Sequence, residues 1–160
     1  MLEVYESVLS EQMCNLLIQK YEESDKDNSH KMFVQVEIGT PQDLMDLAQM
    51  VGDDYLRKYD PTNITPNKYA VEGFRIKRYT PNEHSFPWHA DANDKKSCTR
   101  FLAMLFYLND NEAGTRFTDF TVEAKCGNVL VFPPMWMFPH EGIMPTKTPK
   151  YIMSTYFHYD

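Results

Sequence analysis

The second half of the sequence is divided by polar turns into short apolar or alternating segments, and this pattern limits the chain to a fold built mainly from β-strands. The residues of segment 74–79 alternate between two faces, as in a strand. Three continuous apolar runs, typical of buried strands, are Phe101–Leu108, Val129–Phe132 and Tyr151–Phe157. Further short strands are predicted at Trp88–Ala90, Phe117–Val122 and Trp136–His140. These segments predict a mainly β fold of two packed sheets, a cupin-like jelly roll or double-stranded β-helix, and the aromatic content of 14% agrees because aromatic residues favour strands.

The first 60 residues carry helical patterns instead. Ser10 is a suitable N-cap for a helix over Glu11–Glu23. The apolar stripe predicted for this helix is Met13, Leu16, Leu17 and Tyr21. Thr40 followed by Pro41 predicts the start of a second helix that continues to about Tyr59, with a short strand at Val34–Ile38 before it.

A protein of 160 residues is the size of one domain. We therefore expect residues 1–160 to form a single domain, with helices over about 10–59 and a β core over about 71–158. The segment Pro61–Asn67, which is rich in Pro, Asn and Thr, is predicted to separate these two parts.

The charge balance and the cysteines bear on partners and location. The net charge is −7 at pH 7, which opposes non-specific binding to nucleic acid or to an anionic membrane. No apolar run approaches the roughly 20 residues needed to span a bilayer, and no signal peptide is evident. The three cysteines form no CxxC pair. We expect a soluble, intracellular (cytoplasmic) protein that binds neither nucleic acid nor membrane.

The chemistry is concentrated in His89-Ala90-Asp91. On a strand, residues i and i+2 point to the same face, with Cα atoms about 6.6 Å apart, so both side chains could bind one ion. Two histidines and one carboxylate on one face suit non-haem Fe(II), and His140 is the candidate third ligand. A second match, His158-Tyr159-Asp160, is disfavoured because it lies at the chain end. His30 and His84 lie in polar segments and are interpreted as surface residues.

Lys150 opens the last apolar strand, ten residues after His140. It either points inward with Ile152 and Ser154 or faces solvent. If it points inward, a buried ammonium group needs an anionic partner, and the carboxylate of an acidic co-substrate would provide one. If it points outward, it is an ordinary lysine at the edge of a strand.

Taken in order, these motifs resemble the Fe(II)- and 2-oxoglutarate-dependent dioxygenases, in particular their prolyl 4-hydroxylase-like branch. The resemblance extends from VLSEQMCNLLIQKY to the last strand. Its ordered elements are Arg78-Tyr79, His89-x-Asp91, FLAMLFYLND, GTRF, GNVLVFPP, His140-Glu141-Gly142 and Lys150-Tyr151.

The resemblance implies a role for six residues. His89, Asp91 and His140 would bind the catalytic Fe(II), and Lys150 would pair with the C5 carboxylate of 2-oxoglutarate. Tyr107 matches a tyrosine that hydrogen-bonds the same carboxylate, and Tyr79 matches one that lines the iron pocket; the alternative for each is a core aromatic residue. Ascorbate is a further candidate cofactor. The implied activity is hydroxylation of an unactivated C–H bond with release of succinate and CO2, on a prolyl residue of a peptide or protein in the first instance and on a small molecule as the alternative.

Two other functions stay open at this level. Phe86 stands where the family often has a tyrosine, which allows a non-catalytic jelly-roll module that binds metal and 2-oxoglutarate. A cupin-type metal-dependent hydrolase or isomerase could use the same three ligands. Trp88 and Trp136 are predicted to be core residues rather than pocket residues. The basic strip Arg75, Lys77 and Arg78 could guide an acidic peptide or form a solvated face.

Overall fold

A computed structural model describes residues 1–65 and 68–159. Pro66 and Asn67 of the predicted separating segment, and Asp160 of the second His-x-Asp match, lie outside the described residues. The elements that the model describes are β1 (Glu3–Tyr5), α1 (Glu11–Glu23), β2 (Val34–Gly39), α2 (Gln42–Tyr59), β3 (Tyr69–Val71), β4 (Phe74–Tyr79), β5 (Phe86–His89), β6 (Arg100–Tyr107), β7 (Asn111–Phe117), β8 (Thr121–Ala124), β9 (Val129–Phe132), β10 (His140–Gly142) and β11 (Lys150–Tyr159).

The strands form two antiparallel sheets, which confirms the predicted jelly roll. The larger sheet has the order β1-β9-β6-β11-β4-β2, and β3 pairs with the far end of β11. The smaller sheet has the order β5-β10-β7-β8. Most neighbouring strands are distant in sequence, as β6 beside β11 shows, whereas β7 and β8 are joined by a short turn. The fold therefore depends mainly on long-range pairing.

The continuous apolar run of β6 is explained by its position between two cores. One set of its side chains, Leu102, Met104 and Phe106, packs into the core that contains helix residues such as Leu44 and Val51. The alternate set, Ala103, Leu105 and Tyr107, packs into a second core shared with Phe117 of the smaller sheet. A strand that is covered on both faces has no polar alternation, because neither face meets water.

The helices agree closely with the sequence prediction. Helix α1 spans Glu11–Glu23, and Ser10 caps it by accepting a hydrogen bond from the Met13 amide. Its buried face is Cys14, Leu17 and Tyr21, so the prediction that Leu16 faces the core is wrong: Leu16 is one position off the buried stripe and is half exposed.

Helix α2 begins one residue later than the sequence predicted. Its N-cap is Pro41 rather than Thr40, and no side chain at the N-cap makes a capping hydrogen bond to the first turn of the helix. The buried residues Leu44, Ala48, Val51 and Tyr55 recur at helical spacing, as predicted. In the described part of the protein, neither helix is both long enough and apolar enough to cross a membrane.

Two predicted strands are wrong because a turn interrupts each segment. The segment Phe117–Val122 contains the end of β7 and the start of β8, and between them the Phe117 amide donates to the Phe120 carbonyl over 2.8 Å. In Trp136–His140, the Phe138 amide donates to Met135 over 2.9 Å, so only His140 belongs to a strand. Strands β1 and β3 were not predicted, since three residues each are too short to show a period.

Three further residues differ from their predicted burial. Trp88 and Trp136 are 50% and 78% exposed, so neither is a core residue. His84 is buried instead of exposed, because its Nδ1 accepts a hydrogen bond from the Thr80 amide. Neither the aromatic character of the two tryptophans nor the polar segment around His84 predicted burial correctly, because the tertiary structure decides which side chains are covered.

Candidate metal centre

Two neighbouring strands of the smaller sheet bring the candidate ligands together. β5 and β10 pair antiparallel, and His89 lies directly opposite His140 in the register. Asp91 follows His89 by two residues, at the point where β5 has just ended. One ligand atom from each of His89, Asp91 and His140 lies within 4.8 Å of the others. Residues that are about 50 positions apart in sequence therefore converge because the strands pair in this register.

The carboxylate of Asp91 lies between the two imidazoles. Its Oδ1 is 3.4 Å from His89 Nε2, and its Oδ2 is 3.5 Å from His140 Nε2. The Tyr156 hydroxyl of β11 donates a hydrogen bond of 2.9 Å to Asp91 Oδ1 and so fixes the carboxylate from the larger sheet.

Backbone carbonyls orient both imidazole rings. His89 Nδ1 is 2.8 Å from the Pro87 carbonyl oxygen, and His140 Nδ1 is 3.1 Å from the Phe138 carbonyl oxygen. A carbonyl only accepts, so each Nδ1 carries the hydrogen and each Nε2 keeps its lone pair facing Asp91. Such carbonyl contacts are typical of histidines that bind metals through Nε2.

The charges of the centre favour the metal-binding protonation states. Burial alone would raise the pKa of Asp91, but the His89 contact and the nearby His140, His89 and Lys77 outweigh burial and lower that pKa to about 2. Burial also lowers the pKa of His140, despite the opposing effect of Asp91. An ionised carboxylate and a neutral imidazole are the forms that coordinate a cation.

The residues fit a divalent transition metal. His89 Nε2 and Asp91 Oδ2 are buried without a hydrogen-bond partner among the described residues. Buried polar atoms rarely lack a partner, and an unplaced ion is a common reason. Two imidazole nitrogens and one carboxylate oxygen on one face form the donor set of non-haem Fe(II) sites, which leave further positions open to other ligands.

Lys150 lies in the same pocket with its ammonium group buried. It is the first residue of β11 and is only 2% exposed. Its Nζ donates to the Ile143 carbonyl over 2.7 Å and lies 4.5 Å above the ring of Tyr79, but it has no carboxylate partner within 4 Å among residues 1–65 and 68–159. Burial lowers the pKa of Lys150 to about 7. The inward orientation and the missing counter-charge leave a place for an anion.

The two tyrosines singled out in the sequence occupy different positions. Tyr79 lines the pocket beside Lys150, to which it is paired across β4 and β11. Tyr107 is fully buried behind the pocket wall, and its hydroxyl donates a 2.8 Å hydrogen bond to Thr115 Oγ1. Thr115 itself lines the pocket.

Sequence reasoning assigned no role to three residues at this site: Thr115, Tyr156 and Lys77. Thr115 lies in the GTRF motif, and Tyr156 points to the same side of β11 as Lys150, since even spacing along a strand preserves the face; both signals were present in the sequence. Lys77 was noted only as part of a basic strip, and alternation along β4 would have separated it from Arg78. His158, of the second His-x-Asp match, contacts Thr99 and Glu72 instead of the metal-site residues.

Comparisons with known proteins bear on the family and on the fold. A family model described as the 2OG-Fe(II) oxygenase superfamily matches residues 74–158. No protein of curated function matches the sequence significantly.

Many solved structures share the fold, and the following three examples do so at low sequence identity. The viral collagen prolyl hydroxylase of Paramecium bursaria Chlorella virus 1, in complex with 2-oxoglutarate, has a TM-score of 0.77 at 20% identity, over 99% of this chain and 96% of that one. A Pseudomonas putida prolyl-4-hydroxylase has a TM-score of 0.75 at 16% identity, over 99% and 92%. A Trichoplax adhaerens prolyl hydroxylase, in complex with a peptide fragment of hypoxia inducible factor, has a TM-score of 0.65 at 13% identity, over 98% and 83%.

Proposed function

The protein belongs to the 2OG-Fe(II) oxygenase superfamily, whose members use Fe(II) and 2-oxoglutarate, and we propose that it hydroxylates an unactivated C–H bond of a prolyl residue in a peptide or protein. One atom of O2 enters the substrate as a hydroxyl group, and the other enters succinate as 2-oxoglutarate loses CO2. The observation that carries the proposal is the convergence of two imidazole Nε2 atoms and one carboxylate beside a buried, unpaired ammonium group.

His89, Asp91 and His140 would hold the metal. Their three donor atoms lie on one side of the pocket, and the carbonyl contacts of both imidazoles keep the Nε2 lone pairs aimed inward. When bound, Fe(II) supplies the redox chemistry with O2 that amino-acid side chains lack. The role of the three residues is to fix that ion and leave its other positions free for 2-oxoglutarate and O2.

Lys150 would bind the distal carboxylate of 2-oxoglutarate. An ammonium group in an apolar pocket gains most from a hydrogen-bonded anion, because water is not available to solvate it. The ring of Tyr79 supports the ammonium group from one side. The Thr115 hydroxyl, held by Tyr107, offers the same carboxylate a second polar contact from β7.

Apolar side chains would restrict water around the reacting centre. Leu105, Ile152 and Phe86 line the pocket between the sheets, and Phe86 stacks on His89 with ring centroids 3.6 Å apart. The phenyl ring thus occupies the position where the family often has a tyrosine, and it supports the His89 imidazole by packing.

Two of the structurally similar proteins support a prolyl substrate, because their names state what they act on or bind. One is a collagen prolyl hydroxylase, and another was solved with a peptide of hypoxia inducible factor. In the present protein, a groove of about 540 Å³ outside the metal centre, bordered by His89, Asp91 and Phe86, is large enough for a short peptide segment.

The test is coupled turnover. Purified protein is incubated with Fe(II), ascorbate and 2-oxoglutarate, with and without a library of proline-containing peptides. Succinate release and a peptide mass gain of one oxygen atom are the expected results, and both are expected to disappear in Asp91→Asn but not in the surface control Asp119→Asn. If 2-oxoglutarate binds and no peptide or small molecule stimulates its turnover, the hydroxylase proposal is wrong and a non-catalytic binding module is the better description.

A further inference from the structure

Lys77 is a second buried lysine at this centre, and the roles assigned above do not use it. Along β4, Arg75, Lys77 and Tyr79 share one face, which looks toward the metal centre. Lys77 is 6% exposed, and its Nζ lies 4.9 Å from the ring centroid of Phe33 and 5.8 Å from that of Phe86.

The ammonium group of Lys77 has no hydrogen-bond acceptor or ion-pair partner within residues 1–65 and 68–159. Aromatic faces offset only part of the cost of removing a cation from water. Burial lowers the pKa of Lys77 to about 8, although Asp91 acts in the opposite direction. A lysine held in such surroundings would be better replaced by an apolar residue unless an anion reaches it.

The position of Lys77 shows from where that anion would come. Lys77 lines the inner pocket, together with His89, Asp91 and Lys150, and it also lines the outer groove of about 540 Å³. Its side chain therefore lies at the passage between the place of 2-oxoglutarate and the place of the substrate. A group that approaches the metal from the groove can therefore come within reach of this ammonium group.

The count of charges leaves Lys77 without a counter-ion even when the cofactors are bound. A divalent cation and Lys150 bring three positive charges, and Asp91 and the two carboxylates of 2-oxoglutarate bring three negative ones. In the groove, Arg75 and Arg100 both pair with Glu72, and Arg75 also pairs with Glu37, so two carboxylates match the two arginines and neither is left for Lys77. Lys77 is therefore the positive charge that stays without a counter-ion next to the reacting centre.

We propose that Lys77 binds a carboxylate of the substrate, so that this oxygenase acts on a carbon close to a free carboxylate. The inference rests on the proposed function. The carboxylate can belong to a free amino acid, to the C-terminus of a peptide or to an acidic residue beside the reacting one, and all three share the chemistry that Lys77 recognises. Lys77 is then a specificity-determining residue, whereas Lys150 serves the co-substrate.

Matched pairs of probes test this proposal. Each pair differs only in a carboxylate replaced by its amide: L-proline and L-prolinamide, N-acetyl-Gly-Pro and its C-terminal amide, and N-acetyl-Gly-Pro-Asp-amide and its Asn counterpart. Binding is measured by calorimetry in the absence of oxygen, on protein loaded with Mn(II) and 2-oxoglutarate. The proteins are wild type, Lys77→Met, and the control Lys95→Met, which removes an exposed lysine outside the groove lining.

We expect at least one carboxylate probe to bind wild type and Lys95→Met about tenfold or more tightly than its amide, since a charge-assisted hydrogen bond is lost in the amide. In Lys77→Met the preference should fall below about twofold, while the affinities for Mn(II) and 2-oxoglutarate do not fall. The pair that shows the preference identifies the source of the carboxylate. Lys77→Met should fold, because methionine keeps the packing and removes a buried charge.

Two outcomes overturn the inference. The first is a carboxylate preference that survives in Lys77→Met; if the variant also loses Mn(II) affinity, Lys77 is a positioning residue for Asp91. The second is wild-type protein that prefers no carboxylate in any pair. If wild type binds 2-oxoglutarate and shows no preference, only this inference fails. If wild type does not bind 2-oxoglutarate at all, the proposed function fails with it.

Discussion

Replacing Lys150 by methionine should stabilise the ligand-free protein while it removes 2-oxoglutarate binding. Lys150 is 2% exposed in the wild-type protein, and burial lowers its pKa from 10.5 to about 7. At about 1.4 kcal/mol per pH unit, this difference corresponds to about 5 kcal/mol that the buried charge costs the folded state. Methionine keeps the aliphatic length and removes that cost.

Part of the gain is lost again, because Lys150 donates a hydrogen bond to the Ile143 carbonyl. A buried carbonyl left without its partner costs about 1–3 kcal/mol. The Gly114 carbonyl, the second acceptor, keeps the hydrogen bond that it receives from the Ile143 amide. The net expectation for Lys150→Met is a gain of about 2–4 kcal/mol in the free energy of unfolding at pH 6.

The sign of the pH dependence follows from the lowered pKa. Between pH 7 and 10.5 the folded protein binds fewer protons at Lys150 than the unfolded protein does, so wild-type stability rises with pH across this window. The advantage of the variant is therefore full below pH 7 and declines toward pH 10.5. Urea denaturation of metal-free protein at several pH values measures this difference.

Binding of 2-oxoglutarate should change in the opposite direction. Removing one partner of a buried charge pair costs about 2–5 kcal/mol, so the affinity of Lys150→Met for 2-oxoglutarate should be lower than that of wild type by at least roughly 30-fold. The control is Lys147→Met, an exposed lysine of the same region, which should alter neither property. A Lys150→Met protein that is less stable than wild type at pH 6, or that still binds 2-oxoglutarate at wild-type affinity, would refute the reasoning.

Three further predictions concern the ligands, the groove and the sheet. Asp91→Asn should weaken metal binding by at least roughly 100-fold, because it removes the only anionic donor of the three; Mn(II) titration followed by electron paramagnetic resonance measures this, and near wild-type affinity would exclude Asp91 as a ligand. Burial would raise the pKa of Glu72, but Arg100 and Arg75 outweigh burial and lower that pKa from 4.5 to about 2. The ionised Glu72 carboxylate therefore stabilises the folded protein above pH 4.5, and this contribution is lost as the pH falls toward 2. Glu72→Gln should therefore lose on the order of 3 kcal/mol at pH 7 and much less at pH 3 in urea denaturation, and an equal loss at both pH values would contradict the assignment. Gly114→Ala would place a Cβ atom 1.9 Å from the Val122 carbonyl oxygen of β8, so melting should show a loss of about 1–3 kcal/mol or more, and an unchanged melting temperature would mean that β7 and β8 do not pair this closely.

Local sequence patterns were sufficient to predict many of the helices and strands. The cap at Ser10 and the apolar spacing of Leu17 and Tyr21 specify helix α1, because capping and helical period act within a few residues. The apolar run in β6 predicts a strand that is buried on both sides. The prediction failed where a short turn interrupts an apolar segment, as at Phe120, since turn formation there depends on the pairing of β7 with β8.

The site divides in the same way. Alternation along β4 accounts for the separation of Lys77 from Arg78. Asp91 lies two residues beyond His89, the last residue of β5, so its approach to His89 does not come from strand alternation. Nothing local indicates that His140 lies opposite His89, that Lys150 points between the sheets, or that Trp136 lies at the surface.

By itself, the sequence determined the helices, most strand segments and which residues of a strand share a face, because backbone periodicity and capping are short-range properties. The tertiary structure decided which strands pair and in which register, and therefore which imidazoles meet and which ammonium groups lose their water. Those outcomes depend on contacts between residues tens of positions apart, whose energies come from burial and from charges that only the assembled sheets bring together.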